Sequence, residues 1–424
     1  MRFLFFLLLA TACVAVQPSG TDVPEKTLEL SDKAYEPEIK TVRLYNLEGF
    51  ATRPELNPAV TRMGNWNLVL EFDDLKDQRD NYYLRIVHCN YNWTKSALLD
   101  LDYMPEYNEY PITDFEFSLD TQIPYVHYHT RIPPVKLPGN YVAVVYRGSD
   151  RSDIILTRRF MVFDPQFTFL REGSLIGPGT LAERNQQINF KINYKNVHII
   201  NPMETINVTV RQNQRWDNLS EQIKPSFLRE NQSELEYRFF SGEHFFRGGN
   251  EFRFFDLRSL LYPGRNVARV DRTTKPPNAY IAPDQSRAGD VYSQHPDNNG
   301  SYILENLDFR NRNAANYVNV TFTLLSEPVS GEVYVIGAFT DWQLDDSTKM
   351  HYDTAQRAYN ANYLLRQGWY DYQYAVKSKT LPPYYFEGTH YETENLYEIF
   401  VYYRAFQPQA DLLLGYFVLG ENRR

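Results

Sequence analysis

Cysteine is nearly missing from this 424-residue chain, which holds only Cys13 and Cys89. Two thiols cannot build the disulfide framework that staples small secreted domains. Long apolar runs are missing too. After the N-terminus no stretch of about 18 residues is apolar enough to cross a bilayer as a helix, and mean hydropathy is −0.52. Basic charge is in deficit, with 44 Lys and Arg against 53 Asp and Glu, for a formal charge of −9. No basic stripe marks a nucleic-acid partner. The chain carries no G-x-S-x-G, H-E-x-x-H, P-loop or G-x-G-x-x-G signature. What it has in quantity is aromatic surface: 33 Tyr and 27 Phe, within an aromatic fraction of 15%. That much apolar area can offset the ordering entropy that keeps polar chains unfolded, and the length suits several domains of about 100–200 residues each.

The N-terminus reads Met1-Arg2-Phe3-Leu4-Phe5-Phe6-Leu7-Leu8-Leu9-Ala10-Thr11-Ala12-Cys13. One basic residue, a short apolar run and small residues at its end describe a secretory signal peptide over 1–12. Ala10-Thr11-Ala12 fits the small-x-small rule of ordinary signal peptidase. Cys13 directly after it resembles the lipid-bearing Cys of a bacterial lipobox, with Ala10 where a Leu usually stands. Lipidation at Cys13 and plain secretion with an incidental Cys both fit. Residues 13–38, rich in Pro, Glu, Asp and Ser, read as a tether.

From Ile39 onward short strands alternate with turn residues. Leu68, Leu70 and Phe72 show the period of a half-buried strand. Tyr82–Cys89 is apolar on both parities, as in a strand covered on both faces. Ile188, Phe190, Ile192 and Tyr194 start a second series, and Tyr317–Leu325, Tyr359–Leu365 and Leu396–Tyr403 belong to a third. No amphipathic helix longer than a few turns is visible. The expectation is an all-β chain of three β-sandwiches, Ig-like or early-set, in series. Their boundaries are 39–164, 165–274 and 302–424, with 275–301 as a linker or loop.

Candidate chemistry is thin. His127-Tyr128-His129 places two imidazoles on one strand face, a metal-compatible pair that no other Cys or His completes by spacing. His88 and Cys89 point to opposite faces of a strand and cannot act as a dyad. Cys89 reads as a buried structural thiol. Asp73-Asp74 and Asp345-Asp346 read as solvated turns, and would serve a hydrolase only if the fold brought carboxylates together across a cleft. No catalytic, metal or cofactor site is assigned.

Two resemblances add to this reading. Val333-Tyr334-Val335-Ile336-Gly337-Ala338-Phe339-Thr340-Asp341-Trp342, with Met350 and Gly368-Trp369-Tyr370-Asp371-Tyr372-Gln373-Tyr374-Ala375-Val376, resembles the Ig-like carbohydrate-binding modules of glycogen-branching enzymes. It spans about 70 residues, and Lys377-Ser378-Lys379 stands where those modules carry an Asp-Gly turn. The resemblance implies Trp342 as a sugar-stacking residue, with a carbohydrate-binding exported protein as the alternative function. An unrecognised hydrolase is the other.

The wider resemblance runs from about Ile39 to Gly415. Tyr83–Trp93, Asp114–Ser118, Tyr125–Tyr128, Pro138–Tyr141 and Arg158–Val162 carry it in the first domain. Val210–Trp216 and Gly248–Asp256 carry it in the second, and Glu387–Thr389, Thr393–Asn395 and Val401–Arg404 in the third. In this order they resemble the type 9 secretion system plug proteins of Bacteroidetes. That family implies a non-enzymatic protein at the periplasmic, inner face of the outer membrane, held there by the possible lipid on Cys13. Its implied partner is the outer-membrane translocon β-barrel, whose pore it closes when no cargo is present. A barrel of about 36 strands would otherwise hold an open channel. The resemblance assigns no partner-contacting residues.

Overall fold

Runs of five to ten residues that alternate apolar and polar, stopped by Gly, Pro, Asn and Asp, dictate short strands rather than helices. The computed structural model describes residues 26–173, 175, 184–240, 244–309 and 311–420. The expected signal peptide and Cys13 lie outside the described residues. Among those described, the α-helices are two single turns, Asp100–Tyr103 and Pro202–Thr205.

The first sandwich begins with β1 (Lys33–Ala34), β2 (Ile39–Asn46), β3 (Val60–Arg62), β4 (Leu68–Asp74) and β5 (Tyr82–Cys89). It continues with β6 (Tyr110–Ile112), β7 (Asp114–Phe117), β8 (Val126–Arg131), β9 (Gly139–Arg147) and β10 (Ile154–Phe163). One sheet runs β1-β10-β9-β5-β6 and the other β2-β4-β8-β7, with β3 joining β10 in parallel. Leu70 and Phe72 from one sheet meet Ile86, Tyr141 and Phe160 from the other in a shared core. The stretch expected as a tether departs from that reading from Lys26 onward. Lys26 bridges Glu36 at 2.6 Å and Asp153 at 2.5 Å, Asp32 accepts from the Arg159 N–H at 2.7 Å, and β1 pairs with β10. Ion pairs and strand addition hold a segment whose composition alone suggests a loose linker.

The second sandwich starts with β11 (Thr168–Glu172), β12 (Asn185–Gln187), β13 (Asn189–Asn193) and β14 (Ile206–Gln212). β15 (Leu219–Ile223), β16 (Phe227–Arg229), β17 (Glu234–Tyr237) and β18 (Phe245–Arg247) follow. The third contains β19 (Arg253–Asp256), β20 (Val267–Asp271), β21 (Asn278–Ile281), β22 (Asp284–Gln285) and β23 (Tyr302–Leu304). It is completed by β24 (Tyr317–Leu325), β25 (Glu332–Ile336), β26 (His351–Asp353), β27 (Ala358–Arg366) and β28 (Gly368–Lys377). The last two strands are β29 (Leu396–Arg404) and β30 (Asp411–Gly420).

These last strands redraw the expected boundaries. One sheet of the second sandwich has the order β15-β14-β29-β30, facing β11-β13-β17-β16. Val208 lies opposite Val401 and Val210 opposite Ile399, so β14 gains a neighbour from nearly two hundred residues away and buries its apolar face. The third sandwich is therefore inserted into the second, from Arg253 to Lys377. Its sheets run β19-β28-β23, with β25 also on β28, and β20-β21-β24-β27-β26. The region expected as a linker, 275–301, supplies β21 and β22 to it. The region expected as a terminal domain, 302–424, is divided between two sandwiches.

The outgoing and returning connections run side by side. The His390 N–H donates to Gly249 O at 2.7 Å, and the Asn395 amide donates to Gly248 O at 2.7 Å. A Cβ on Gly248 would stand 1.7 Å from the His390 carbonyl oxygen. Only glycine lets these two backbones approach so closely.

Candidate functional site

Asp73 on β4 is fully buried and points away from its own core toward the third sandwich. It accepts from Thr41 Oγ1 at 2.6 Å and Tyr317 Oη at 2.6 Å. It also accepts from Arg366 Nη1 at 3.0 Å, and His127 Nδ1 lies 2.7 Å from its other oxygen. Glu71, two residues earlier and on the same face, binds Arg43, and Arg312 at 3.1 Å. Arg312 Nη2 also reaches His127 Nε2 at 3.0 Å. Burial alone would raise the Asp73 carboxyl, but Arg366, His127 and Thr41 outweigh it and hold it well below the usual carboxylate range. Glu71 is likewise held low by Arg43, His127 and Arg312 against burial. For His127, burial lowers the pKa and the carboxylates of Asp73 and Glu71 more than restore it, so the net direction is upward. Thr41 takes a left-handed φ of 49°, a strained geometry for a β-branched residue. It lies where the β2–β4 register shifts, between Lys40 and Arg43. The strain places its hydroxyl 2.9 Å from that of Tyr317. These contacts form a buried, charge-matched clamp between the first and third sandwiches.

The other domain contacts follow the same rule. Tyr402 donates to Asn140 Oδ1 at 2.9 Å and the Tyr91 N–H donates to Asp411 at 3.1 Å. Val60 and Met161 of the first sandwich pack on Phe400, Tyr402 and Leu413 of the second. All three sandwiches meet at a cavity of about 160 Å³ whose lining includes Arg43, Arg159, Arg211, Trp216, Asn299 and Trp342. Arg211 lies 4.0 Å above the Trp216 ring and Arg159 4.3 Å from it. Arg211 is held from behind by Glu398, at 2.8 and 2.9 Å. Cation–π contacts in such a desolvated place are worth roughly 2 kcal/mol each.

Trp342 is only 9% exposed. Arg215 of the second sandwich covers its ring at 4.1 Å, Phe252 packs 5.7 Å away, and Gly300 lies against its far edge. The ring offers no open face to a sugar, which corrects the reading of Trp342 as a stacking platform. Asp73 and Asp74 are not a solvated turn but buried strand residues facing opposite ways. Asp74 accepts from Tyr82 Oη at 2.7 Å. Asp345 and Asp346 do sit in an exposed turn, where Asp345 accepts from the Ser347 N–H at 2.8 Å. His129 stacks beside His127, with ring centroids 6.1 Å apart, but no group of three or more His, Cys, Asp or Glu suited to a metal occurs among the described residues. Cys89 is fully buried, and burial pushes its thiol up to about 12. His88 is 1% exposed, and neither ring nitrogen has a hydrogen-bond partner among the described residues. Arg366, Arg312 and Tyr317 escaped the sequence reading. The one available signal was an arginine closing the otherwise apolar and neutral run Tyr359–Leu365.

Residues 39–164 match the family model described as "Type 9 secretion system plug protein 1st domain". The first sandwich belongs to the plug family of the type 9 secretion system. That domain supplies Asp73 and His127, its own half of the clamp. The whole architecture is shared with a solved structure, the crystal structure of a hypothetical protein from Parabacteroides merdae ATCC 43184. The two are 27% identical with a TM-score of 0.86, over 93% of this chain and 100% of that one. No curated protein matches the chain in sequence.

Proposed function

We propose that this protein is a non-enzymatic periplasmic plug that closes the outer-membrane translocon pore of the type 9 secretion system while no cargo occupies it. The observation that carries the reading is the plug-family match of the first sandwich. The clamp supports it physically. A stopper must resist deformation by the pore, and buried ion pairs plus a three-way arginine–tryptophan junction join the sandwiches into one block. A broad, shape-matched surface does this work better than a few reactive groups. A lipid on Cys13 would hold the plug at the membrane and raise its effective concentration near the pore.

The test is capture of the tagged protein from outer membranes in mild detergent, with cargo export blocked. A large translocon barrel should co-purify. Deletion should also make the outer membrane leaky to small dyes, and unchanged permeability together with no barrel in the capture would defeat the proposal. Mass spectrometry of the mature N-terminus decides the lipid on Cys13.

A further inference from the structure

A cleft of about 690 Å³ separates the first and third sandwiches, within the size range of ligand pockets. Five consecutive residues of β27, Asn362–Arg366, line one wall, and four consecutive residues of β2, Ile39–Val42, line the other. Successive side chains of a strand point to opposite faces. A cleft touched by every residue in a row therefore runs along the strand's edge, not over its face.

The sheet pairing agrees. β2 is the end strand of its sheet. β26 pairs with β27 only from Ala358 to Asn360. Among the described residues, Ala361–Arg366 thus has a strand neighbour, β24, on one side only. In an antiparallel ladder alternate N–H and C=O groups point away from the paired neighbour, so this stretch presents a row of donors and acceptors to the cleft. Phe339 and Tyr363, edge to face with centroids 5.9 Å apart, supply an apolar wall. Lys40 stands half-buried opposite, with no ion pair among the described residues. Burial draws its ammonium pKa down and Glu38 offsets this only in part.

We propose that the cleft binds an extended segment of another polypeptide as an added strand on the β27 edge, with an acidic side chain set against Lys40. An open ladder at strand spacing is complementary to peptide backbone, and strand addition is an established way for a sheet edge to recognise a peptide. The neighbouring sandwich protects the edge from indiscriminate pairing with other chains. This site stands apart from the plug reading, because barrel capture and peptide binding are separate measurements.

The test uses the full chain and a fluorescein-labelled decapeptide of alternating Val and Thr with one central Glu. Fluorescence anisotropy should show saturable binding, and hydrogen exchange should slow at Asn362–Arg366. Methylating alternate peptide nitrogens should weaken binding at least tenfold, since main-chain hydrogen bonds supply the affinity. Lys40→Glu, with an unchanged circular dichroism spectrum, should weaken the Glu peptide about tenfold and favour a peptide with Lys at that place. Equal binding of the methylated peptide, protection confined to other strands, or no binding of any peptide up to about 1 mM would each overturn the proposal.

Discussion

Acid should find the first sandwich at His88. Its imidazole is buried against Tyr141, ring centroids 5.0 Å apart, with no acceptor for either nitrogen among the described residues. Burial lowers its pKa from 6.5 to about 4. The sign follows directly. Between those two values the unfolded chain takes up a proton that the folded chain refuses, so stability is full above about pH 6.5 and falls as the pH drops toward 4. Below 4 the folded state also binds the proton, and the loss levels off. At ~1.36 kcal/mol per pH unit of difference, the loss reaches about 3 kcal/mol. That is a sizeable part of the roughly 5–15 kcal/mol that holds a domain folded.

His88→Leu is neutral at every pH and removes this contribution. Urea unfolding of the Cys13→Ser chain, followed by exposure of Cys89 to a pyridyl disulfide that still reacts in acid, reports on the same strand. The difference between wild type and His88→Leu should shift by about 3 kcal/mol between pH 7.5 and 4. Parallel pH curves for the two proteins, or a measured His88 pKa near 6.5, would refute the reasoning.

Asp73→Asn should cost about 3–5 kcal/mol, because it leaves Arg366 buried without its counter-charge. Limited proteolysis between the first and third sandwiches should rise, and Arg366→Met added to Asp73→Leu should recover much of the loss. The same carboxylates set a second acid limb. Asp73 and Glu71, held low in the folded state, contribute fully above about pH 4 and lose that contribution only as the pH falls further. Urea midpoints measured below pH 4 should therefore fall less steeply for Asp73→Asn than for wild type. Trp342→Ala should destabilise by about 3–5 kcal/mol through lost packing, seen in thermal melts, while retardation in glucan-containing gels stays equal to wild type. Gly248→Ala should cost more than about 1 kcal/mol, the size of a strain-free glycine change, because its methyl meets the His390 carbonyl. Hydrogen exchange should then accelerate in β18 and β29 together.

Strand content was legible because alternation is a local property. Leu68, Leu70 and Phe72 fall in β4, and Phe190 and Ile192 in β13, because each series carries its own alternation, while Tyr82–Cys89 becomes β5 as a short run apolar on both parities. Pairing across long separations was not legible. Nothing near Ile206–Gln212 announces that its partner is Leu396–Arg404, and changes in composition along the chain do not fall where the sheets close. The clamp was hidden for a related reason. Asp73-Asp74 looks like a polar turn until Arg366 arrives from 293 residues away, and only tertiary structure shows that the carboxylate is matched. Trp342 misled in the opposite direction. Its motif implies a sugar-stacking ring, but the neighbouring sandwich, whose Arg215 covers that ring, leaves no trace in those ten residues.

The insertion of one sandwich into another has a consequence for the order of assembly. A chain emerging N-terminus first can close its plug domain as soon as β10 is out, and its third sandwich once β28 is out. The second must wait for the last two strands, with the β14 edge uncovered throughout. Long-range pairing of this kind is slow and leaves sticky edges exposed. Loss of the final twenty-five residues would accordingly unmake the middle of the protein and spare the sandwich that precedes them in the chain. In a chain built this way, the middle section sets last, locking in place the two that were already hard.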